Sequence, residues 1–370
     1  MRPHTEPLRR ILAAGLLAPS AENRHELRFQ VLDDAVRLIA TDVASWDEQP
    51  HRQMLALLSF GAVVENMSLR SAELGHAMSV AWLPAPDRPE LVADLRWAPS
   101  AAAHDPLCQA IERRHTNRRF YRRAALPAET LARLSAAADA VPGTRLLWLD
   151  DPTRRALALQ AIRVAETERF RRRALHAELF GAVRFERGWH AGVDEGLPPA
   201  ALEIEPPMRL PFALLRHWPV MRAASWVGGH VALGWRAGHL PCARAPHIGL
   251  IQASGPRADL ESLQAGRAFQ RVWLAATAEQ LALQPMAAAT VLMRQTPGDG
   301  WVGAGAKARL EGLLAALCAD HDAQPYLLFR LGRAEPPSAV TGRRPLAHHL
   351  YAPIAAPAGL ESVALTLALP

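Results

Sequence analysis

One short element of this sequence has the residue types and spacing of a phosphate-binding site. It is RRHTNRRF, residues 113–120, in which Arg114, Thr116 and Arg118 place a hydroxyl between two guanidinium groups. A phosphate with close to two negative charges needs more than one cation, and arginine donates paired hydrogen bonds to its oxygens. A hydroxyl can donate one more. The element therefore suits a phosphorylated ligand, and taken alone it suits a basic surface turn equally well.

A second group of chemically active side chains lies in HAELFGAVRFERGWHAGVDE, residues 176–195. The suitable metal ligands in it are His176, Glu178, His190, Asp194 and Glu195. Their spacing matches no metal-binding motif. We therefore predict no metal site, and favour a polar hinge whose charges pair among themselves or with Arg184 and Arg187. Likewise, His348 and His349 are expected on an exposed helix surface.

The elements that must position such residues begin with an amphipathic helix and a hairpin. Apolar periodicity and turn residues predict helix 7–17, hairpin strands 27–31 and 35–40, helix 53–75 and strand 78–83. A proline-rich exit follows the last of these strands.

The second part of the chain has the same alternation of helices and strands. The predicted elements are a helix from 106 that ends in RRHTNRRF, a helix from 128, strand 145–149, helix 152–173, strand 247–253, helix 259–281, a loop and strand through 285–293, helix 306–319 and strand 325–331. Residues 174–245 interrupt this order. A long irregular stretch is usually a lid or a linker, and its aromatic content argues against a solvated linker. We predict a lid packed over a cleft, in preference to a membrane-surface helix.

Composition indicates a folded protein and disfavours several classes of partner. Half of the residues are apolar and 21% are charged, as in globular proteins. The net charge of +6 is scattered, and Lys307 is the only lysine, so we attribute the arginine content to codon usage. The cluster at 171–173 is typical of a solvated helix face. We predict no nucleic-acid partner.

The cysteines and the N-terminus indicate a cytoplasmic protein. Cys108, Cys242 and Cys318 lie far apart, which favours buried thiols in a reducing compartment. The apolar stretch after Arg9 and Arg10 is too short for an export signal and is interpreted as a helix. No segment reaches the roughly 18 residues of a membrane span, so no membrane partner is predicted.

Two of the long predicted helices resemble each other. Residues 59–78 read SFGAVVENMSLRSAELGHAM, and residues 264–286 read QAGRAFQRVWLAATAEQLALQPM. Both place a glycine at the start, then a long apolar stretch, an Ala-Glu pair and a methionine beyond the end. This similarity is a modest indication of internal duplication.

Several separated elements together resemble the nitroreductase superfamily of FMN-binding proteins. APSAENRHELRF, residues 18–29, is similar to the loop that follows the early helix in these proteins. It matches the family at Pro19, Ser20 and Asn23. The sequence has His-Glu-Leu at 25–27, where Gln-Pro-Trp is usual.

RRHTNRRF is similar to the family element Arg-Arg-Ser-x-Arg-x-Phe, which grips the phosphate and ribityl chain of FMN. The matching residues are Arg114, Thr116 and Arg118. This resemblance implies that all three hold the cofactor.

Two further elements resemble the family nearer the C-terminus. GRRPLAHHL, from residue 342, resembles a basic segment that supplies another phosphate contact, with Arg343 and Arg344 as candidates. LALQPMA, from residue 281, resembles a loop that passes close to the isoalloxazine ring, with Pro285 and Met286 in the matching positions.

The order of elements resembles most the Acg-type branch, in which two nitroreductase-like halves are fused in one chain. The resemblance implies an α+β fold with mixed or antiparallel sheets flanked by helices, mimicking a nitroreductase homodimer. The halves would span 1–104 and 105–370, with the lid insertion at 174–245. It also implies FMN at one site built mainly by the second half, in a monomer (a pseudo-dimer) or a loose homodimer.

The resemblance further implies a two-electron oxidoreductase. NADH or NADPH would reduce FMN, which would then reduce a nitro compound, a quinone or a related acceptor. The flavin N5 carries this chemistry, so no catalytic side chain is named. Two alternatives remain open: a non-catalytic flavin-binding protein closed by its lid, and a flavin-dependent tailoring oxidase. The small-molecule substrate is not identified.

Overall fold

The computed structural model describes residues 6–101, 104–189, 192–319 and 322–351. These residues form two four-stranded antiparallel sheets flanked by helices, which confirms the α+β class. The elements around the first sheet are α1 (Glu6–Leu16), β1 (Leu27–Val31), β2 (Val36–Ala40), α2 (Ala44–Glu48), α3 (Pro50–Glu73), β3 (His76–Trp82) and β4 (Leu91–Pro99).

The second sheet and its helices follow the same plan with a large addition. The elements are α4 (Ala128–Asp139), β5 (Thr144–Trp148), α5 (Pro152–Arg171), α6 (Arg173–Gly181), α7 (Arg209–Leu214), α8 (Trp218–Trp226), α9 (Gly229–Gly234), α10 (Leu240–Arg244), β6 (His247–Ala253), α11 (Ala258–Ala278), β7 (Ala282–Pro285), α12 (Ala288–Leu292), α13 (Ala304–Leu317) and β8 (Gln324–Gly332). None of the helices in the described part of the chain is long and apolar enough to cross a membrane.

The two sheets have the same strand order. The first is ordered β1-β2-β4-β3 and the second β5-β6-β8-β7, and every pairing is antiparallel. In each, a helix precedes the first strand and the longest helix connects the second strand to the third. The sheets differ in the connection between their first two strands. Residues 32–35 form a tight turn between β1 and β2, whereas residues 149–246 separate β5 from β6.

The long helices α3 and α11 join the two halves by crossing at two glycines. A Cβ on Gly61 would lie 2.0 Å from the carbonyl oxygen of Leu263, and a Cβ on Gly266 would lie 2.0 Å from that of Leu58. Each glycine therefore allows the opposing backbone to approach. The contacts are reciprocal, because each glycine meets the residue three positions before the other glycine.

A buried carboxylate reinforces this crossing. Glu65 of α3, whose side chain is 3% exposed, accepts a bond of 2.9 Å from Arg267 Nε and one of 2.7 Å from Arg271 Nη1, both on α11. Such a charge is tolerated in the interior because both oxygens are paired. The two halves are thus held together by close packing and by opposite charges.

The chain after β8 returns to the first sheet. Residues 346–349 form one helical turn, Leu350 pairs with Phe29 in a parallel bridge, and Tyr351 N donates to Phe29 O at 2.8 Å. His349, expected on an exposed helix surface, is instead buried, with Nδ1 3.2 Å from Leu27 O. This return places the segment that carries Arg343 beside the first half.

The predictions for several elements were wrong, for tertiary reasons. The helix expected from residue 106 is a single turn over 106–110, because the following backbone bonds sideways to the second sheet, with Asn117 N donating to Leu283 O and Arg122 N to Arg333 O. The proline-rich exit after β3 is present as a turn, but β4, which follows it, was not predicted. The strand predicted over 285–293 ends at the proline, and α12 follows. The three cysteines are buried, as predicted.

Candidate functional site

A large cavity lies at the junction of the two halves. Its volume is about 1260 Å³, above the roughly 300–1,000 Å³ of most ligand pockets. The loop after α1 and one face of α3 line it from the first half. The 113–120 element, the end of β7 and residues from 174–245 line it from the second half. Elements around both sheets therefore contribute to this cavity.

Nine of the ten cofactor-binding residues predicted from the sequence line this cavity. They are Pro19, Ser20, Asn23, Arg114, Thr116, Arg118, Pro285, Met286 and Arg343. The tenth, Arg344, does not line it and instead pairs with Glu195. Residues from four separated stretches of sequence are therefore brought together.

Two of the arginines hold the C-terminal end of α1. Arg343 Nε donates to Leu16 O at 2.9 Å and Arg343 Nη1 to Asn23 Oδ1 at 2.7 Å, while Arg114 Nη2 donates to Leu17 O at 3.0 Å. Cations are favourable here because the last carbonyls of a helix are unpaired and carry partial negative charge. These bonds fix the 18–29 loop against the arginines.

Beyond that structural role both arginines bring positive charge to the cavity, and Arg114 keeps an unused donor, whereas the donors of Arg343 also bond to Ala18, Thr341 and Gly342. Arg114 is buried, its guanidinium lies 4.4 Å from the centroid of the Trp273 ring, and its Nε has no hydrogen-bond partner among the described residues. Burial, and then the nearby charge of Arg343, lower the pKa of Arg114 to about 9. Burial lowers the pKa of Arg343 to about 10. A desolvated cation without a counterion favours the approach of an anion.

Of the three arginines, Arg118 has the most unused hydrogen-bond donors. It is half-buried and makes one hydrogen bond, from Nη1 to Ala201 O at 3.2 Å, and burial lowers its pKa to about 10. No carboxylate of the described residues lies within 4.0 Å of Arg114, Arg118 or Arg343. The Thr116 hydroxyl likewise has no partner in the parts of the chain described above. The cavity wall thus offers three guanidinium groups and a free hydroxyl.

A fourth buried arginine positions a side chain that the sequence did not single out. Arg330 of β8 donates from Nε to Gln284 Oε1 at 2.8 Å, and its guanidinium carbon is 3.9 Å from the centroid of the Tyr121 ring. Arg330 Nη1 has no hydrogen-bond partner in the part of the chain that the structure describes. Gln284 lines the cavity immediately before Pro285 and Met286. An amide is therefore held beside the residues expected near the flavin ring.

The loop after α1 carries an acid in the cavity wall that no sequence pattern indicated. Glu22 and Asn23 have φ values of 56° and 57°, a left-handed conformation that is uncommon outside glycine and is often found at functional sites. Burial raises the pKa of Glu22 to about 7, against an opposing effect of Arg24. This carboxyl can hold a proton at neutral pH inside the cavity.

The acidic and histidine side chains of residues 176–195 are dispersed. His176 Nε2 lies 2.8 Å from Leu215 O, Glu178 pairs with Arg52 at 3.1 Å, and Glu195 pairs with Arg344. The pairing arginines are therefore distant in sequence, not the expected Arg184 and Arg187. His190 lies outside the described residues. Among the described residues, no three His, Cys, Asp or Glu side chains are arranged to hold a metal ion.

Comparison with known proteins gives similarity only among solved structures, since no family model and no curated protein matches this chain. A nitroreductase with bound FMN from Bacteroides fragilis aligns at 12% identity and a TM-score of 0.35, over 72% of this chain and 99% of that one. The FMN-dependent nitroreductase NfnB from Mycobacterium smegmatis, in complex with NADPH, aligns at 18% identity and 0.35, over 65% and 97%. A nitroreductase with bound FMN from Desulfitobacterium hafniense aligns at 13% identity and 0.30, over 65% and 94%. Because these identities and TM-scores are low, the function of this chain is inferred from its own residues.

Proposed function

We propose that this chain is an FMN-binding, nitroreductase-like oxidoreductase whose cofactor occupies the cavity between its halves. The observation that carries the proposal is the set of three buried or half-buried guanidinium groups, those of Arg114, Arg118 and Arg343, that line the cavity without a carboxylate partner among the described residues. A phosphomonoester brings close to two negative charges and several acceptor oxygens. It would offset the desolvation of these cations, which is unfavourable in the free protein.

The polar groups around the arginines fit a flavin phosphate. Arg118 has one hydrogen bond, Arg114 Nε has none, and the Thr116 hydroxyl is free among the described residues, so each can donate to a phosphate oxygen. We assign the C-terminal contact to Arg343, because Arg344 is neutralised by Glu195 away from the cavity. Pro19 and Ser20 belong to the loop that Arg343 holds in place.

The arrangement of the halves supports a fused pair of nitroreductase-like units. The sheets share one strand order, α3 and α11 cross at reciprocal glycines, and the last described segment returns to the first sheet. We propose a boundary near residue 104, between the first sheet and the second. A cavity that needs both halves would then need no second subunit, and the chain would act as a monomer.

FMN, when bound, would accept hydride from NADH or NADPH and pass two electrons to an acceptor such as a nitro compound or a quinone. The protein would bind and orient both ligands in a cavity larger than most single-ligand pockets. Pro285 and Met286 supply an apolar surface, and Gln284, held by Arg330, supplies an amide. The Glu22 carboxyl holds a proton near neutral pH and faces the same cavity.

The discriminating experiment compares FMN with riboflavin, which lacks the phosphate. Binding is titrated through quenching of flavin fluorescence, for the wild type, Arg118→Ala and Arg122→Ala. Arg122 is a matched control, since it is four residues away, 69% exposed and paired with Glu335. We expect Arg118→Ala to weaken FMN binding about 10- to 100-fold, because one or two charge-assisted bonds are lost. Riboflavin binding should change little.

The ratio of the two affinities decides the placement of the phosphate. The wild type and Arg122→Ala should prefer FMN to riboflavin by the same factor, and Arg118→Ala should lose most of that preference. If FMN binds Arg118→Ala as tightly as the wild type, Arg118 does not hold the phosphate. If neither flavin binds the wild type or raises its melting temperature, the proposed function is wrong.

A non-catalytic flavin-binding protein is the second candidate, favoured by the extent to which residues 174–245 line the cavity. Phe212, Leu233 and Ala237 of this segment face it together with the arginines. A lid that stays closed would keep a nicotinamide or an acceptor away from the flavin. Anaerobic mixing with NADH or NADPH separates the two candidates: rapid bleaching of the flavin absorbance supports an enzyme, and a flavin that stays oxidised supports a store.

A further inference from the structure

Most of the large exposed apolar side chains of the described residues lie in one segment. Eight of eleven belong to residues 208–235, and we call these eight side chains the outer face. The eight are Met208, Leu210, Leu214, Val220, Trp226, Val227, Val231 and Trp235. Other side chains of the same segment line the cavity, so the expectation of packing over a cleft describes only its inner side. A concentration of exposed apolar residues in one segment is typical of an interaction surface.

The most exposed part of the outer face is the turn between α8 and α9. Trp226 is 79% exposed and Val227 is 88% exposed. Gly228 follows with a φ of 83°, a left-handed conformation that closes the turn without strain because glycine has no Cβ. Two large apolar side chains are thus presented at the tip of a helical hairpin, where intramolecular packing does not reach them.

The charged residues within 208–235 have one sign. They are Arg209, Arg216 and Arg222, and this segment contains no aspartate or glutamate. Glu205 and Arg236, which flank it, pair with each other. Arg216 and Arg222, on either side of the start of α8, are exposed. Arg222 makes no ion pair within the described part of the chain. Tryptophan beside arginine suits the boundary of an anionic bilayer, because the ring enters the headgroup region while the cations meet lipid phosphates.

We propose that the outer face docks on the surface of an anionic lipid bilayer, with Trp226 and Val227 inserted at the headgroup boundary and Arg216 and Arg222 against the lipid phosphates. The charge pattern favours lipid over a second copy of the chain, since a two-fold contact would bring Arg216 and Arg222 against their own copies, and the segment supplies no acid to neutralise them. Docking is peripheral, because no described helix is long and apolar enough to span the membrane.

Co-sedimentation with vesicles tests this proposal on the full chain. The vesicles are phosphatidylcholine alone, or phosphatidylcholine with about 30% phosphatidylglycerol. The second composition supplies the anionic lipid that attracts basic protein surfaces. The wild type should bind the anionic vesicles at low salt and lose most binding in about 1 M salt, where charges are screened within a few ångströms. Binding to neutral vesicles should be much weaker.

Matched variants assign the binding to the outer face. Trp226→Ala should weaken binding about tenfold through lost apolar insertion, and Arg222→Gln about fivefold through one lost charge. Tyr351→Ala and Arg309→Gln, which remove an exposed aromatic and an exposed charge outside the segment, should bind like the wild type. Melting temperatures should be unchanged throughout, since all four side chains are exposed or half-exposed.

Three results would overturn the proposal. The first is absence of binding by the folded wild type to anionic vesicles. The second is equal binding by Trp226→Ala, Arg222→Gln and the two control variants. The third is sedimentation of the wild type as a dimer that Trp226→Ala converts to a monomer, which would assign the outer face to contact between copies. If Trp226→Ala does not fold, Val227→Ser tests the same turn with a smaller change.

Discussion

Replacing Gly61 or Gly266, the glycines at which α3 and α11 cross, with alanine should destabilise the protein. The distances at the crossing give the size of the effect. In Gly61→Ala or Gly266→Ala, the new Cβ would lie 2.0 Å from a backbone carbonyl oxygen of the opposite helix, whereas real Cβ atoms essentially never approach closer than 3.0 Å. The helices must therefore separate by about 1 Å at this point. Forced separation in a packed core costs about 1–3 kcal/mol.

Two smaller effects modify this magnitude. Alanine has the higher helix propensity, which offsets the loss by up to about 1 kcal/mol. Separation also stretches the bonds of Glu65 to Arg267 and Arg271, which cross the same interface. We therefore expect each single variant to lose about 1–3 kcal/mol. The double variant should lose less than the sum, because helices already apart accommodate the second Cβ more easily.

Urea denaturation followed by circular dichroism measures these differences through the transition midpoint. Gly312→Ala is the matched control, since it also lies within a helix, α13, and its Cβ would meet nothing within 4 Å. It should stabilise the protein by about 0.5–1 kcal/mol. If Gly61→Ala is as stable as Gly312→Ala, the close reciprocal crossing is wrong. If the double variant loses the full sum, the two sites do not share one interface.

Two further predictions concern buried carboxyl groups. Glu65→Ala should lose about 3 kcal/mol, at the low end of the range for a broken buried pair, since Arg267 loses its carboxylate while Arg271 keeps Asp105. Glu335→Ala, at an exposed ion pair, should lose less than about 1 kcal/mol in the same urea assay. Glu22→Gln should raise the melting temperature at pH 8.5 and have little effect near pH 4.5. The pKa of Glu22 is raised from 4.5 to about 7 on folding, so the wild type loses up to about 3 kcal/mol as pH rises through this window.

Each of these carboxyl predictions can fail clearly. Equal losses in Glu65→Ala and Glu335→Ala would show that Glu65 does not hold the halves together. A gain in melting temperature from Glu22→Gln that is the same at both pH values would show that the Glu22 carboxyl titrates normally. Burial is the largest cause of its raised pKa, so such a result would place Glu22 in water.

The long elements were predictable from the sequence because their stabilisation is largely local. Apolar periodicity predicted a helix over 53–75 and a strand over 247–253, and the structure has α3 over 50–73 and β6 over 247–253. The stretch after residue 110 was not predictable in this way. Its backbone bonds to Leu283 and Arg333, far away in sequence, and no local pattern records those partners.

The residues of the candidate site likewise divide into those that were predictable from the sequence and those that were not. The arginines that line the cavity were found because their type and spacing reflect the chemistry of a phosphate, wherever the chain places them. Glu22 and Gln284 carry no such pattern, since one depends on a left-handed backbone and the other on a bond from Arg330. Arg344 shows the opposite failure: its type and position suit the site, yet an ion pair with Glu195 holds it elsewhere.

Because residues of one polypeptide line both walls of the cavity, we expect ligand affinity to be independent of protein concentration. A pocket shared by two subunits is lost when the subunits separate, and ligand affinity then depends on protein concentration. Under the proposed fusion, the covalent connection would replace subunit association, so that forming the cavity would cost loop-closure entropy in place of association entropy. Such a fusion would also allow the two halves to diverge. Residues 32–35 connect β1 to β2, whereas residues 149–246 connect β5 to β6, an addition that two identical subunits would each have to accommodate.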